Sequence, residues 1–264
     1  MGDEQHDSGS LGEVIRELGM GTELAGDRMI GRSTISPEMW APGSDTIRLS
    51  VLATWADVLT GVLANLAFRP RIGLTVDLDV HVLRPVPGTG DVRGVASTLK
   101  VGRSITVNRA DFTVDDDPRP FATAIGSFMV SPNPAHLLPD DFSGTKMMSG
   151  VLTAPLAERA GVRPLGPGVA EVPGRRANLN SSHAIQGGLL ALCAEEAVLS
   201  LVPQGILTSM SMRYLRGFRT GPAHAHAVMH DGVAMIEIVD PADGRLGVTA
   251  SAHLGPSARG VGGT

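Results

Sequence analysis

Thr46 to Leu66 (TIRLSVLATWADVLTGVLANL) and Gly187 to Val202 (GGLLALCAEEAVLSLV) are two long runs of small and apolar residues. Both are apolar nearly all the way round a helical wheel, which marks a helix buried on every side and not one lying on a surface. Each run carries carboxylates within it: Asp57 in the first, Glu195 and Glu196 in the second. A carboxylate is costly to bury, so an acidic residue inside such a helix calls for a partner or a task.

The flanking segments repeat in the same order. Glu13 to Gly19 (EVIRELG) and Pro155 to Gly161 (PLAERAG) each predict a short amphipathic helix stopped by glycine. After each comes a polar, loop-rich stretch with one expected strand, and then the long helix. Strands follow. Leu74 to Val82 alternates, with Leu74, Val76, Leu78, Val80 and Val82 expected on one face and Thr75, Asp77, Asp79 and His81 on the other. Val92–Val101, Ile105–Val114 and Phe121–Val130 continue as an antiparallel meander. The second half repeats this at Ile206–Leu215, Ala223–Met229, Val233–Val239 and Leu246–Leu254, with hairpin turns at Asp231-Gly232 and Pro241–Gly244. Between them, Ser131 to Gly150 is rich in Pro, Gly, Ser and Asp and reads as linker. The chain is therefore a tandem α+β repeat, with halves at residues 12–135 and 150–255 and a linker at 136–149.

Composition narrows the function. With 264 residues, 42% hydrophobic and 19% charged, the chain is globular. No run is expected to reach the roughly 18 apolar residues that span a bilayer, and the acidic, polar start argues against a signal peptide. One cysteine, Cys193, rules out a disulfide scaffold and suits a reducing cytoplasm. A net charge of −5 and 3% aromatics give no case for nucleic acid. The serine-hydrolase elbow, the phosphate-binding glycine loop and the paired-histidine zinc motif are all missing. His224, His226 and His230 would share a strand face, but two strand positions four apart stand about 13 Å from each other. They predict a polar face; no metal and no redox cofactor is expected.

A long buried helix wrapped by a curved antiparallel sheet resembles the hotdog fold. The second half resembles the small acyl-CoA thioesterases of the phenylacetate-pathway type, whose signature is Asn, five residues, His-Gly-Gly, six residues, then Asp or Glu. Here it reads Asn180, SSHAI, Gln186-Gly187-Gly188, LLALCA, Glu195, with glutamine in place of histidine. The first half matches more faintly as Pro42, then Arg48-Leu49-Ser50, VLATWA and Asp57. It keeps the carboxylate and lacks both glycines. Gly73–Asp77 (GLTVD) resembles the family's glycine-x-serine-valine-aspartate strand, with Thr75 at the hydroxyl position and Leu207 as its second-half counterpart.

Thioester hydrolysis needs an oxyanion donor, which N–H groups at a helix N-terminus supply, and a carboxylate to activate water or attack. Gly187 and Glu195 lie about 12 Å apart along one helix, so they cannot serve the same carbonyl. The resemblance implies that a site takes its glycine from one half and its carboxylate from the other. One site would combine Asn180, Gln186 and Gly187 with Asp57 and Thr75. The other would combine Glu195 and Leu207 with Pro42, Arg48 and Leu49. The expectation is one working site with an acyl-CoA substrate, Asp57 as base or nucleophile and Gly187 as oxyanion donor, in a cytoplasmic homo-oligomer with no membrane or nucleic-acid partner. Two rival readings stand beside it. One is a non-catalytic acyl-CoA or acyl-carrier binding protein. The other is a hotdog hydratase built on Gly43–Ile47, where Ser50 stands at the position that needs histidine.

Overall fold

The computed structural model describes residues 12–85, 88–146 and 150–255. The first half contains α1 (Glu13–Glu17), β1 (Gly21–Ala25), β2 (Arg28–Ile35), α2 (Leu49–Phe68), β3 (Gly73–Val82), β4 (Gly90–Val101), β5 (Ile105–Val114) and β6 (Asp117–Val130). The second contains α3 (Leu156–Ala160), β7 (Arg163–Gly166), β8 (Val169–Val172), α4 (Gly187–Leu201), β9 (Ile206–Tyr214), β10 (Ala223–His230), β11 (Val233–Val239) and β12 (Leu246–Gly255). All twelve strands join one sheet in the order β1-β2-β4-β5-β6-β3-β9-β12-β11-β10-β8-β7. Read from either end, the two halves have the same internal order. They meet where β3 pairs antiparallel with β9, Asp79 opposite Ser211 at the middle of the register. This is a double hotdog.

The apolar runs become α2 and α4, which pack against the sheet and against each other. Buried residues from both halves form one continuous cluster, from Leu52, Trp55 and Leu59 to Leu192, Met212 and Ile236. The helices come close together at Gly188, where a Cβ would sit 2.8 Å from the Thr54 Cα. By length and composition α2 is apolar enough to cross a membrane, contrary to the expectation that no run reaches that length. Its most apolar window is 61% buried inside the protein, as a core helix requires.

Two features differ from expectation. Each short helix is followed by a two-stranded hairpin instead of a single strand (β1–β2 and β7–β8), which extends the sheet at both edges. The segment between the halves does more than connect. Leu137 bridges to Arg71 and Lys146 to Thr22. The Thr22 hydroxyl donates to the Gly144 carbonyl at 2.8 Å, and the Arg69 guanidinium lies 5.7 Å from the Phe142 ring centre. Residues 136–146 thus form a strap fastened to the first half. At the Asp231-Gly232 turn both residues have positive φ (45° and 87°), as a tight hairpin of this twist requires.

Because the Thr54 hydroxyl stands where a Gly188 Cβ would go, with the Thr54 Cα only 2.8 Å away, Gly188→Ala forces the two helices apart. The expected cost is about 1–3 kcal/mol, the usual range for overpacking a core, read as a lower midpoint in urea unfolding with an unchanged slope.

Candidate functional site

Asp57 lies in the middle of α2, and its half-buried carboxylate is held from both halves. Oδ1 accepts from the Thr75 hydroxyl at 2.8 Å. Oδ2 accepts from Nε2 of Gln186 at 3.0 Å. The orientation of the Gln186 amide follows from its other end: Oε1 accepts from the backbone N–H of Gly188 (2.5 Å) and Leu189 (3.3 Å). Backbone N–H groups only donate, so the NH₂ must face Asp57. Gln186 is therefore both the N-cap of α4 and a neutral clamp on the carboxylate. Burial raises the Asp57 pKa to about 6, against the smaller opposing pull of the Thr75 hydrogen bond.

Thr75 reaches Asp57 because of a β-bulge. Strict alternation would place Thr75 on the face opposite Leu78 and Val80. Instead the register shifts between Thr75 and Asp77, so Thr75 stands opposite the buried Phe128 while Leu78 stands opposite Gly126. Three steps on β3 match two on β6, and Thr75 joins the inward face. This corrects the face assigned to Thr75 by alternation. The second half has the matching shift between His253 and Leu254, where Leu207 and Ser209 are paired and Thr208 is skipped. The two bulges align Thr75 with Leu207, an apolar residue that cannot hold a carboxylate.

Gly187 is the first residue of α4, and its N–H has no intrahelical acceptor. Asn180 supplies no direct contact to Asp57. Its Oδ1 accepts from the Ser182 N–H, the Ser182 hydroxyl and the Ala184 N–H, which fixes the loop leading into Gln186. The sequence reading did not include Tyr214, whose hydroxyl donates to the Gly187 carbonyl at 3.1 Å. Burial, and then the negative charge of Asp57, push the phenol well above its ordinary pKa, so it stays protonated. It is the only tyrosine in the chain, and its place at the end of β9 became meaningful only once β9 was paired with β3.

Two cavities meet at Asp57. One, of about 780 Å³, runs along α2 past Thr54, Val58, Gly61, Val62 and Asn65. Its opposite walls are Phe128 and the strap from Pro139 to Lys146, and its rim near α1 is polar, with Arg16 and Lys146. The other, of about 270 Å³, holds Gly187, Leu190 and Tyr214, with Arg216 and Arg219 among its lining residues. Asp57, Leu74, Thr75, Asn180 and Ser182 line both.

The second carboxylate is differently placed. Glu195 is 2% exposed and lines neither cavity. It accepts from Arg48 Nε (3.1 Å), the Leu49 N–H (3.1 Å) and the Ser50 hydroxyl (2.5 Å). Arg48 also pairs with Glu196. Arg48 stands before α2 as Gln186 stands before α4, so the two arrangements correspond, with an ion pair in one and an amide in the other. Pro42 takes no part in this cluster. Elsewhere, His224 pairs with Glu171 at 2.9 Å, and burial pushes the Cys193 thiol up to about 12, which removes it as a nucleophile.

The thioesterase superfamily model matches residues 50–120, the stretch that carries Asp57 and Thr75. No curated protein matches the sequence significantly. Among solved structures, the chain is similar to an acyl-ACP thioesterase from Bacteroides thetaiotaomicron (10% identity, 86% of this chain and 98% of that one, TM-score 0.62). It is also similar to the TesB protein of Mycobacterium avium subsp. paratuberculosis (16%, 94% and 100%, TM-score 0.57). A third is a hot dog fold protein of unknown function from Alicyclobacillus acidocaldarius (14%, 92% and 98%, TM-score 0.52). At these identities the likeness is one of fold.

Removing Arg48 would leave two buried carboxylates without their cation. Arg48→Met is expected to cost about 3–5 kcal/mol of stability, the range for stranding one side of a buried ion pair. The triple change Arg48→Met, Glu195→Gln, Glu196→Gln should recover much of it. Urea unfolding of both variants measures the difference.

Proposed function

Taking the chain as a double hotdog protein with a thioesterase-superfamily segment, we propose that it hydrolyses an acyl-CoA thioester at Asp57. The observation that carries this reading is the position of Asp57. It lies between two cavities, its pKa is raised to about 6, and it is hydrogen-bonded by Gln186 and Thr75 from opposite halves. The larger cavity suits the acyl chain. The smaller suits the thioester and its carrier arm, with Arg219 in its lining to meet the CoA phosphates.

In this reading water sits beside Asp57. The carboxylate takes a proton from it as the water oxygen attacks the thioester carbonyl carbon. The oxyanion so formed is received by the Gly187 N–H at the positive end of α4. As the C–S bond breaks, the thiolate takes the proton from the Asp57 carboxyl, and the products are the free acid and the thiol. Gln186 and Thr75 hold the carboxylate in place, and Asn180 holds the loop that aims Gln186. A base with pKa near 6 is ionised at neutral pH yet still proton-accepting, the balance that general-base catalysis favours.

The similar structure named as an acyl-ACP thioesterase raises a second carrier, a protein-bound pantetheine arm. Thiol release from matched acyl-CoA and acyl-ACP substrates decides between the two. Failure to release thiol from either would leave the binding-protein reading.

Two outcomes are expected with the better substrate. Asp57→Asn should lower kcat by a factor of about 10² to 10⁴, while Glu195→Gln, in folded protein, should cost far less. In steady-state hydrolysis by both variants, a dead Glu195→Gln beside a normal Asp57→Asn would move the site to the other contact between the two helices, at Glu195. The pH profile is the second outcome: kcat/KM should fall as pH drops through about 6 and level off above it. The stability effect has the opposite sense. A carboxyl whose pKa is raised by folding favours the folded state when protonated, and this contribution is lost as pH rises through about 6. Asp57→Asn should therefore be more heat-stable than the parent at pH 8 and show little gain at pH 4.

A further inference from the structure

Gly61 lies in the interior of α2, where glycine lowers helix stability relative to alanine. The local packing does not call for it. A Cβ at this position would meet Phe128 at 3.4 Å and 3.8 Å, ordinary van der Waals contact. Its φ is not among the positive ones. What the missing side chain does is leave space. Gly61 is one turn beyond Asp57 on the same face of α2, and both line the larger cavity, as does Asn65 a further turn on.

The other half supplies an internal comparison. α4 begins at Gly187 as α2 begins at Leu49, and Glu195 follows Gln186 at the same spacing as Asp57 follows Arg48. Gly61 therefore corresponds to Leu199, which is 7% exposed and lines neither cavity. Where one helix carries leucine the space is filled, and where the other carries glycine it is open.

We propose that Gly61 determines which acyl chains the protein accepts, by holding open the larger cavity for chains of medium length. This rests on the reading that the larger cavity receives the acyl group. From Asp57 to Asn65 the cavity follows α2 for about 12 Å. An extended chain covers ~3.3–3.6 Å per three backbone bonds, so about ten bonds fit, and Gly61 stands about five bonds from the carboxylate. The wall that a Cβ at 61 would meet is Phe128, and the strap lines the same cavity beside Val62. Gly144 is held there at φ 77°, with its Cβ position 2.9 Å from a Val62 methyl group, and Phe142 is held under Arg69. A side chain at 61 starts against Phe128 and would narrow the cavity between α2 and that wall, leaving the Asp57 end untouched.

The test is Gly61→Leu, which copies the closed half, with Gly61→Ala as the milder variant whose methyl group fits without strain. Hydrolysis of butyryl-CoA and decanoyl-CoA is measured alongside binding of the non-hydrolysable thioethers S-butyl-CoA and S-decyl-CoA. For Gly61→Leu, kcat/KM for decanoyl-CoA should fall at least tenfold and that for butyryl-CoA should stay within threefold. The S-decyl-CoA Kd should rise at least tenfold and the S-butyl-CoA Kd should hold. Gly61→Ala should shift the same ratios in the same direction by twofold to threefold, which keeps the proposal testable should the leucine variant not fold. Equal losses on both chain lengths, or an unchanged profile in the folded variants, would overturn it. Selective loss of S-decyl-CoA binding in a protein that hydrolyses neither substrate would uphold the role of Gly61 while removing the hydrolytic reading. Normal hydrolysis by the parent with no chain-length effect in either variant would do the reverse.

Discussion

Each long helix delivers a carboxylate to the N-terminus of the other, and the rest of the molecule is arranged around those two contacts. The unsatisfied N–H groups and positive dipole end of a helix attract a negative side chain. Glu195 meets the start of α2 through the Leu49 N–H and the Ser50 hydroxyl. Asp57 meets the start of α4 through Gln186, whose amide caps that helix. The geometry is shared, and the capping side chain decides what the carboxylate becomes. Arg48 pairs with both Glu195 and Glu196 inside the protein and makes a cross-brace of them. Gln186 supplies a hydrogen bond without a charge, so the desolvation of Asp57 is not offset by a cation and its pKa rises.

The sheet serves this helix pair. Pairing β3 with β9 at the centre brings the two halves into one body, and the bulges at Val76 and Thr208 turn the residue before each of them towards the helices. Bulges re-aim side chains in this way at the cost of regular pairing. In the first half the residue re-aimed is Thr75, a hydroxyl that meets Asp57; in the second it is Leu207, which joins the core.

Much of the fold was legible because periodicity reports burial. The long helices, the eight longer strands and their tandem order follow from apolar spacing, and the structure places them within a few residues of expectation. The short edge hairpins were harder to see. Each packs few side chains, so β1 and β7 lack the alternation that marks a half-buried strand. Within the site, the grouping of Asp57 with Gln186 and Thr75 was implied by the resemblance to the thioesterase motif. Three things were not. The bulge breaks the period-two rule that placed Thr75 outward. Tyr214 is marked by no motif, only by the register of β9. The strap reads as linker because Pro, Gly, Ser and Asp give it no period, although its backbone bonds to both α1-side and α2-side elements.

The tandem arrangement itself permits the asymmetry. In a symmetric dimer of identical chains every residue occurs twice, at both copies of the interface. An arginine that braces one helix pair would then brace the other as well, and a glycine that opens one groove would open its twin. Here Arg48 and Gln186 occupy corresponding places in one chain, as do Thr75 and Leu207, and Gly61 and Leu199. One half can therefore hold an ion-paired, buried contact that braces the helix pair. The other keeps a carboxylate without a cation beside open space, an arrangement that desolvation makes costly. Both contacts sit within the same continuous core, whose apolar burial carries the cost of each.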